Sequence, residues 1–286
     1  IFSKVPFQVL YFKNIAFKKQ LKQKINSLNP EAIHVQHLRM AQYFQTFRPQ
    51  CRVILDLPDA FSLYWKRRIE KTKGGLKAIF QETEYKRLLT YEQVMKRFNL
   101  NLACSKEDIA YLKSKHGFEH IELLSNGVDT NLFKPIGTDK VIRNRILFTG
   151  NMDYAPNIDG DYYFVEDILP MIKKEIKDVD FVIAGQRPVK KVLDLEGEGV
   201  TITGFIPKLN EMYATAQVVV SPLRIGAGTQ NKVLESMAMG VPVVCTNIGF
   251  EGLGVQSGEG VYKELTPEDF AKRVISILQN NELRDE

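Results

Sequence analysis

Ser221–Gly240, SPLRIGAGTQNKVLESMAMG, decides how the rest of the chain is read. The apolar run Val218–Val220 leads into it. A loop containing Gly226, Ala227 and Gly228 follows, and then a helical pattern that carries Lys232 and Glu235. The apolar stretch VPVVCT, Val241–Thr246, reads as the next strand. Strand, glycine loop and helix start is the order that turns free backbone N–H groups toward a phosphate. Arg224 and Lys232 flank the loop and would neutralise a diphosphate. Both are also residue types common on surfaces. Glu235 lies three residues after Lys232, on the same helix face, where a carboxylate can accept from two vicinal ribose hydroxyls or pair with Lys232 itself.

Working outward, the second half alternates strands and helices. Strands are predicted at Arg145–Thr149, Asp180–Ala184, Val200–Thr203, Val218–Ser221, Pro242–Thr246 and Gly260–Tyr262, with a last helix at Pro267–Gln279. That rhythm means an α/β protein whose parallel sheet is covered on both faces. Gly150, Gly185 and Gly204 each follow a strand, so a ligand can approach the backbone at the carboxyl edge. No GxGxxG fingerprint and no Walker loop is present, which argues against a nicotinamide, flavin or P-loop site.

The first half reads differently. Asn14–Leu28 is a basic amphipathic helix with Ile15, Phe17, Leu21, Ile25 and Leu28 as its apolar stripe and Pro30 as its stop. Ala32–Gln36, Arg52–Leu57, Leu100–Cys104 and Ile121–Leu124 are predicted strands. His37–Phe44 is helical, and Phe61–Phe98 is a long helical stretch broken at Gly74-Gly75. Ser105 is the predicted N-cap of a helix to Lys115. His34, His37 and Asp59 gather at strand ends as candidates to contact or position substrate, and interior hydrogen bonding is the alternative for the histidines. Pro135–Lys140 reads as a linker, which divides the chain into residues 1–138 and 139–286.

The chain has 286 residues, 44% of them hydrophobic and 26% charged, the composition of a folded globular protein. The net charge of +5 is unevenly spread: residues 1–140 hold 24 Lys and Arg against 13 Asp and Glu, the remainder 15 against 21. The basic half can face anionic lipid or a phosphorylated acceptor, or be a solvated surface. No nucleic-acid motif accompanies the charge. No stretch is apolar enough to span a membrane, and no secretory signal pattern is present. Cys51, Cys104 and Cys245 have neither metal nor disulfide spacing and fit buried thiols of a reducing cytoplasm. The sequence opens on Ile1 and ends with residues 281–286 just past a helix, so a chain cut at both ends is expected.

Leu123–Pro135 (LLSNGVDTNLFKP), Ile146–Asn157 (ILFTGNMDYAPN), Val200–Pro207 (VTITGFIP) and Ser221–Thr246, in that order, resemble the family 4 glycosyltransferases, and more narrowly the bacterial sugar transferases of exopolysaccharide clusters. The resemblance implies the GT-B architecture of two Rossmann-like domains, the N-terminal acceptor-side one incomplete here. It implies a retaining transferase with no metal or cofactor, working between two domains. Such an enzyme moves a sugar from a nucleotide-diphosphate donor to a glycan or lipid-linked acceptor in cell-surface polysaccharide synthesis. A cytoplasmic protein, peripheral at the inner face of the membrane, is the matching location. Carried over, Glu235 binds the ribose, and Gly226, Ala227, Gly228, Thr229 and Gln230 form the donor loop. Gly150 and Asn151 line the diphosphate side, and Gly204, Phe205 and Ile206 frame the base. His37 is the catalytic candidate. Ala227 stands where the family commonly has a sugar-contacting acid, and Met152, Asp153 and Asn157 occupy the region of its usual Arg and Lys, whose charge Arg224 and Lys232 would replace in part. The competing readings are a nucleotide-sugar 2-epimerase on the same fold and a non-catalytic nucleotide-sugar-binding subunit.

Overall fold

The structure, a computed structural model, describes residues 3–280. Residues 281–286, on which the expected early end of the chain falls, lie outside the described residues. The chain forms two compact units. One comprises the described residues to Ser125 together with Ala227–Thr229; the other comprises Asn126–Gly226 and the described residues from Gln230. The division thus precedes the Pro135–Lys140 stretch expected as linker, which travels with the second unit.

In the first unit, helices α1 (Phe7–Tyr11) and α2 (Ile15–Leu28) precede strands β1 (Ala32–Gln36) and β2 (Arg52–Leu57). Helices α3 (Phe61–Glu70) and α4 (Gly75–Tyr91) then lead to β3 (Leu100–Ala103), α5 (Lys106–His116) and β4 (Ile121–Leu123). The strands pair in parallel in the order β1-β2-β3-β4. Asn14 caps α2 by accepting from the Phe17 amide, and Ser105 caps α5 by accepting from Asp108, so both helix starts follow from short polar side chains. Gly74 and Gly75, both at positive φ, separate α3 from α4. His37–Phe44 differs from the expected helix: Leu38–Phe44 takes the tighter 3₁₀ form, entered through His37 at φ 80°. Of the α2 stripe only Ile25 is buried, while Ile15 and Leu28 are exposed.

The second unit runs β5 (Arg145–Thr149), α6 (Ala155–Tyr163), α7 (Leu169–Glu175), β6 (Asp180–Ala184), α8 (Lys190–Leu193), β7 (Val200–Gly204), α9 (Leu209–Thr215) and β8 (Val218–Ser221). It continues through α10 (Asn231–Ala238), β9 (Val243–Cys245), α11 (Asn247–Phe250), β10 (Val261–Lys263) and α12 (Pro267–Gln279). All six strands are parallel, in the order β10-β9-β8-β5-β6-β7. β5, β6 and β8 are buried nearly throughout, as strands covered on both faces must be. Alternation divides their side chains between two cores. Ile146, Phe148, Phe181 and Ile183 face one, with Phe164, Val274 and Ile277; Leu147, Val182 and Ala184 face the other, with Tyr213, Val233 and Val243.

Between α6 and α7 the helix widens into a single π turn at Phe164–Ile168. Pro170 supplies the reason, because its ring has no N–H and clashes with the carbonyl four residues earlier. The wider turn still buries Phe164, whose ring lies 4.4 Å from Phe181 and 6.1 Å from Phe270. Phe164→Ala should therefore destabilise the second unit by ~3–5 kcal/mol, the cost of an unfilled aromatic site in a closed core. Urea unfolding followed by circular dichroism measures it.

Candidate functional site

The strand order of the second sheet reverses direction between β5 and β8. From β5 the chain builds outward through β6 to β7, and from β8 through β9 to β10. Loops leaving the carboxyl ends of two such neighbours diverge and open a crevice. Gly150 and Asn151 lie on one loop and Pro222–Gly226 on the other. The β5 exit is packed tightly. A side-chain carbon on Gly185 would stand 1.7 Å from the Gly150 carbonyl oxygen, and one on Gly150 would stand 2.4 Å from Asn157 Nδ2. Both positions therefore require glycine through close approach rather than through φ. Asn151 is held by its neighbours: its Oδ1 accepts from Gln186 Nε2 at 2.7 Å and its carbonyl accepts from Asn157 Nδ2 at 2.9 Å.

Helix α10 brings Lys232 to the same place. Its Nζ donates to Asn157 Oδ1 at 2.9 Å and stands 3.9 Å from the centre of the Phe148 ring. The residue is buried, and burial lowers its ammonium below the usual lysine range, opposed first by Asp161 and then by Glu235. Glu235, on the next turn, does not pair with Lys232 within 4 Å. Its Oε2 accepts instead from the Tyr213 hydroxyl at 2.7 Å, which is also 2.7 Å from Thr149 Oγ1. Burial, then the charge of Glu235, pushes the Tyr213 phenol well above its ordinary value. Oε1 of Glu235 has no protein partner among the described residues, which leaves an acceptor on a half-buried carboxylate.

Arg224 is placed elsewhere. Its guanidinium grips Asp159 through two hydrogen bonds, 3.0 and 2.8 Å, lies 3.9 Å from Asp167, and stacks over the Tyr163 ring at 4.5 Å. At 100° per residue, Asp159 and Tyr163 sit on the side of α6 away from Asn157 and Asp161. The expected cation pair of Arg224 with Lys232 is therefore corrected: Arg224 clamps α6 and its π turn, and Lys232 stands on the other face of α6 by Asn157. Gly204 ends β7 at φ 69°, and its carbonyl accepts from the Gly185 amide. Phe205 is exposed and Ile206 packs on the second core. Gly226 closes against Ile248, and Gln230 caps α10 without a side-chain bond.

The remaining candidates belong to the first unit. Ala227, Gly228 and Thr229 do not all present free amides: the Thr229 N–H donates to Cys104 Sγ at 3.3 Å and its hydroxyl to the Cys104 carbonyl at 3.1 Å. Gly228 adopts φ 72° with no room for a side chain, because a carbon there would lie 2.5 Å from the Pro58 carbonyl oxygen. His37 stacks edge-on against Phe61 at 4.5 Å, and its Nδ1 is buried with no partner among the described residues. Burial, then Arg39, lowers its imidazole to about 4, so the ring is neutral at physiological pH. Asp59 has a buried, unbonded Oδ1, and burial followed by Asp108 and Glu92 raises its carboxyl to about 7 against the pull of Arg39. His34 pairs with Asp56 at 3.0 Å.

Two residues that shape the site were not singled out from the sequence, Asp161 and Tyr213, and Asn157 was named only as standing in the region of the family's usual Arg and Lys. The Asn157–Asp161 spacing of four on a helix starting at Ala155 is the one signal that puts two polar groups on a single face. Tyr213 had none, since it reads as an ordinary apolar helix position.

Comparison with known proteins agrees with the resemblance. Residues 143–280 match the family model "Glycosyl transferases group 1". A Klebsiella pneumoniae protein described as an uncharacterized 44.6 kDa protein in the cps region is 28% identical over 144 residues, 47% of this chain and 37% of that protein. The chain thus spans little more than a third of that relative's length. Sucrose-phosphate synthase from Thermosynechococcus elongatus superposes with a TM-score of 0.72 at 18% identity, covering 94% of this chain and 69% of that one. HepE of Anabaena, solved with UDP-glucose, gives 0.71 at 15% identity over 94% and 74%. These likenesses show the GT-B fold.

Asp59 offers a direct check on the buried polar groups of the first unit. Its folded value, about 7, lies above the ordinary 3.8, so the folded state holds a proton that the unfolded state releases. Its contribution to stability is then complete below about pH 4 and is lost as pH rises toward 7. Asp59→Asn should remove that decline, and thermal midpoints at pH 5 and pH 7.5 should converge in the variant.

Proposed function

From the match of residues 143–280 to the glycosyl transferases group 1 model, we propose that the protein is a retaining glycosyltransferase. It would move a sugar from a nucleotide-diphosphate donor to a glycan or lipid-linked acceptor in bacterial cell-surface polysaccharide synthesis. The observation that carries the reading is that one helix at the switch point of the second sheet presents both Lys232, held by Asn157, and Glu235, held by Tyr213.

In this reading the donor's diphosphate lies at the β5 exit, by the Gly150–Asn151 loop, and takes the charge of Lys232. As the glycosidic bond to the diphosphate lengthens, negative charge grows on the leaving oxygen. A fixed ammonium in a water-poor site stabilises that charge more than it stabilises the bound donor. The free Oε1 of Glu235 accepts from the ribose hydroxyls, and the exposed Phe205 ring offers a stacking face to the base. The chemistry invokes no metal and no cofactor. Support for the donor class comes from HepE, whose structures hold UDP and UDP-glucose, and support for the polysaccharide role from the cps-region relative.

Among the described residues no helix is long and apolar enough to cross a membrane. A lipid-linked acceptor would be met at the inner membrane face. The first unit exposes Leu76, Ile79 and Phe80 on α4 beside Lys73 and Lys77, a mixture suited to an anionic surface.

The test is a thermal-shift and turnover assay with UDP- and GDP-sugars. UDP or GDP in large excess over Kd should stabilise the protein by ~2–4 kcal/mol. Lys232→Ala should weaken that binding by ~10- to 100-fold and depress turnover further, since its charge acts on the transition state. Product analysed by NMR should keep the donor's anomeric configuration. Interconversion at C2 without an acceptor would instead mark an epimerase, and binding without turnover a binding subunit.

A further inference from the structure

Asp161 is a buried carboxylic acid to which the proposed function gives no task. It lies on α6 one turn after Asn157, is fully buried, and neither of its oxygens has a hydrogen-bond partner among the described residues. An acid in that position is costly to keep unless it interacts with something else. We infer that Asp161 is a positioning residue of the proposed donor site, the buried counter-charge that keeps a proton on Lys232.

The geometry supports this from three sides. α6 comes close to the β8 exit because residue 160 is glycine; a side-chain carbon there would meet Leu223 Cδ2 at 3.1 Å and the Pro222 carbonyl oxygen at 3.5 Å. This approach turns the Asn157–Asp161 face inward, and Asn157 makes the only hydrogen bond that the Lys232 ammonium has among the described residues. On the opposite side of α6 the Arg224 clamp fixes the helix. The charged and titratable groups that bear on Lys232 are Asp161 from α6, Glu235 from its own helix and Cys245 from β9, with the Phe148 ring and Asn157 as its neutral neighbours. Glu235 is tied to Tyr213, and burial drives the Cys245 thiol strongly upward, so it stays neutral. Lys232 is the one charged group acting on Asp161.

Burial pushes the two groups toward each other. It raises the Asp161 carboxyl and lowers the Lys232 ammonium. Each charge draws its partner back toward the ionised form. An ammonium alone in this site would lose its proton at still lower pH and present a neutral amine to a diphosphate. With Asp161 beside it, the charge is retained into the range where an enzyme of this kind works. The acid acts through the lysine and need not touch the ligand.

The inference rests on the proposed donor site only where ligand binding is read, so two measurements are made in parallel. First, the Lys232 Cε resonance is followed by NMR against pH in the wild-type protein and in Asp161→Asn, without ligand. Loss of the carboxylate should move the lysine midpoint down by about one pH unit or more. Second, UDP affinity is measured at pH 6.5 and pH 8.5. The variant should bind within about twofold of wild type at the lower pH and ~10-fold more weakly at the higher, because above its midpoint an amine loses its charged fraction about tenfold for every pH unit. Asp161→Leu, which replaces the acid with an apolar side chain, should show the same displacement and serves if the buried amide impairs folding. An unchanged lysine midpoint in both variants overturns the inference, as does a loss of UDP binding that is equal at both pH values. If the midpoint moves but the wild-type protein binds no nucleoside diphosphate, the pair stands and the proposed function falls. If UDP binds and the midpoint does not move, the reverse holds.

Discussion

An ammonium taken out of water has to be held by the protein, and the layout of the second unit around Lys232 follows from that requirement. Bulk water offers a lysine three hydrogen bonds and a high dielectric. Here it receives one amide oxygen, one aromatic face and the fields of two carboxyls. Each replacement fixes something else. The Phe148 ring must lie on the side of β5 that faces α6, which sets the face on which alternate residues of that strand enter the core. Asn157 must stand on the first turns of α6, and Gly150 must lack a side chain so that the amide can fit. The site and the core are therefore built from the same residues, and Phe148 belongs to both.

Helix α6 shows how one element serves two demands. Its inner face carries Asn157 and Asp161, and its outer face carries Asp159 and Tyr163 against Arg224. A bidentate guanidinium–carboxylate contact with a ring beneath it is a rigid attachment. The clamp lies next to the π turn that Pro170 imposes, where a helix would otherwise be most free to shift. Arg224 contributes to the site by holding the helix that holds the lysine.

Much of this was legible in the sequence because it rests on local patterns. The strand bounds of β5, β6 and β8, the start of α5 at Ser105 and the break at Gly74-Gly75 follow from apolar runs, a capping side chain and a glycine pair. The position of Glu235 on the helix after the glycine loop was also readable, since spacing alone puts it there. What escaped was every fact that depends on which side chain meets which across the sheet. Arg224 and Lys232 flank one loop in sequence, yet face opposite sides of α6, because the partner of Arg224 lies 65 residues away. Thr229 stands on the glycine loop in sequence, yet its amide donates to a cysteine sulfur 125 residues earlier. Asp161 and Tyr213 look unremarkable in sequence, since burial rather than residue type gives them their chemistry.

Tyr213 has a consequence of its own. A phenol has one hydrogen to give, and three oxygens lie within reach of this one: Thr149 Oγ1 at 2.7 Å, Glu235 Oε2 at 2.7 Å and the Lys232 carbonyl at 3.3 Å. The carboxylate cannot donate, so it takes the hydrogen, and the threonine hydroxyl has to turn its own hydrogen toward the phenol. The hydrogen bonds then run in a single sense, from the end of β5 through α9 to α10. One lone pair decides the orientation of two hydroxyls on two other elements, and a helix and a strand that share no direct bond here are set in register by the direction in which a proton points.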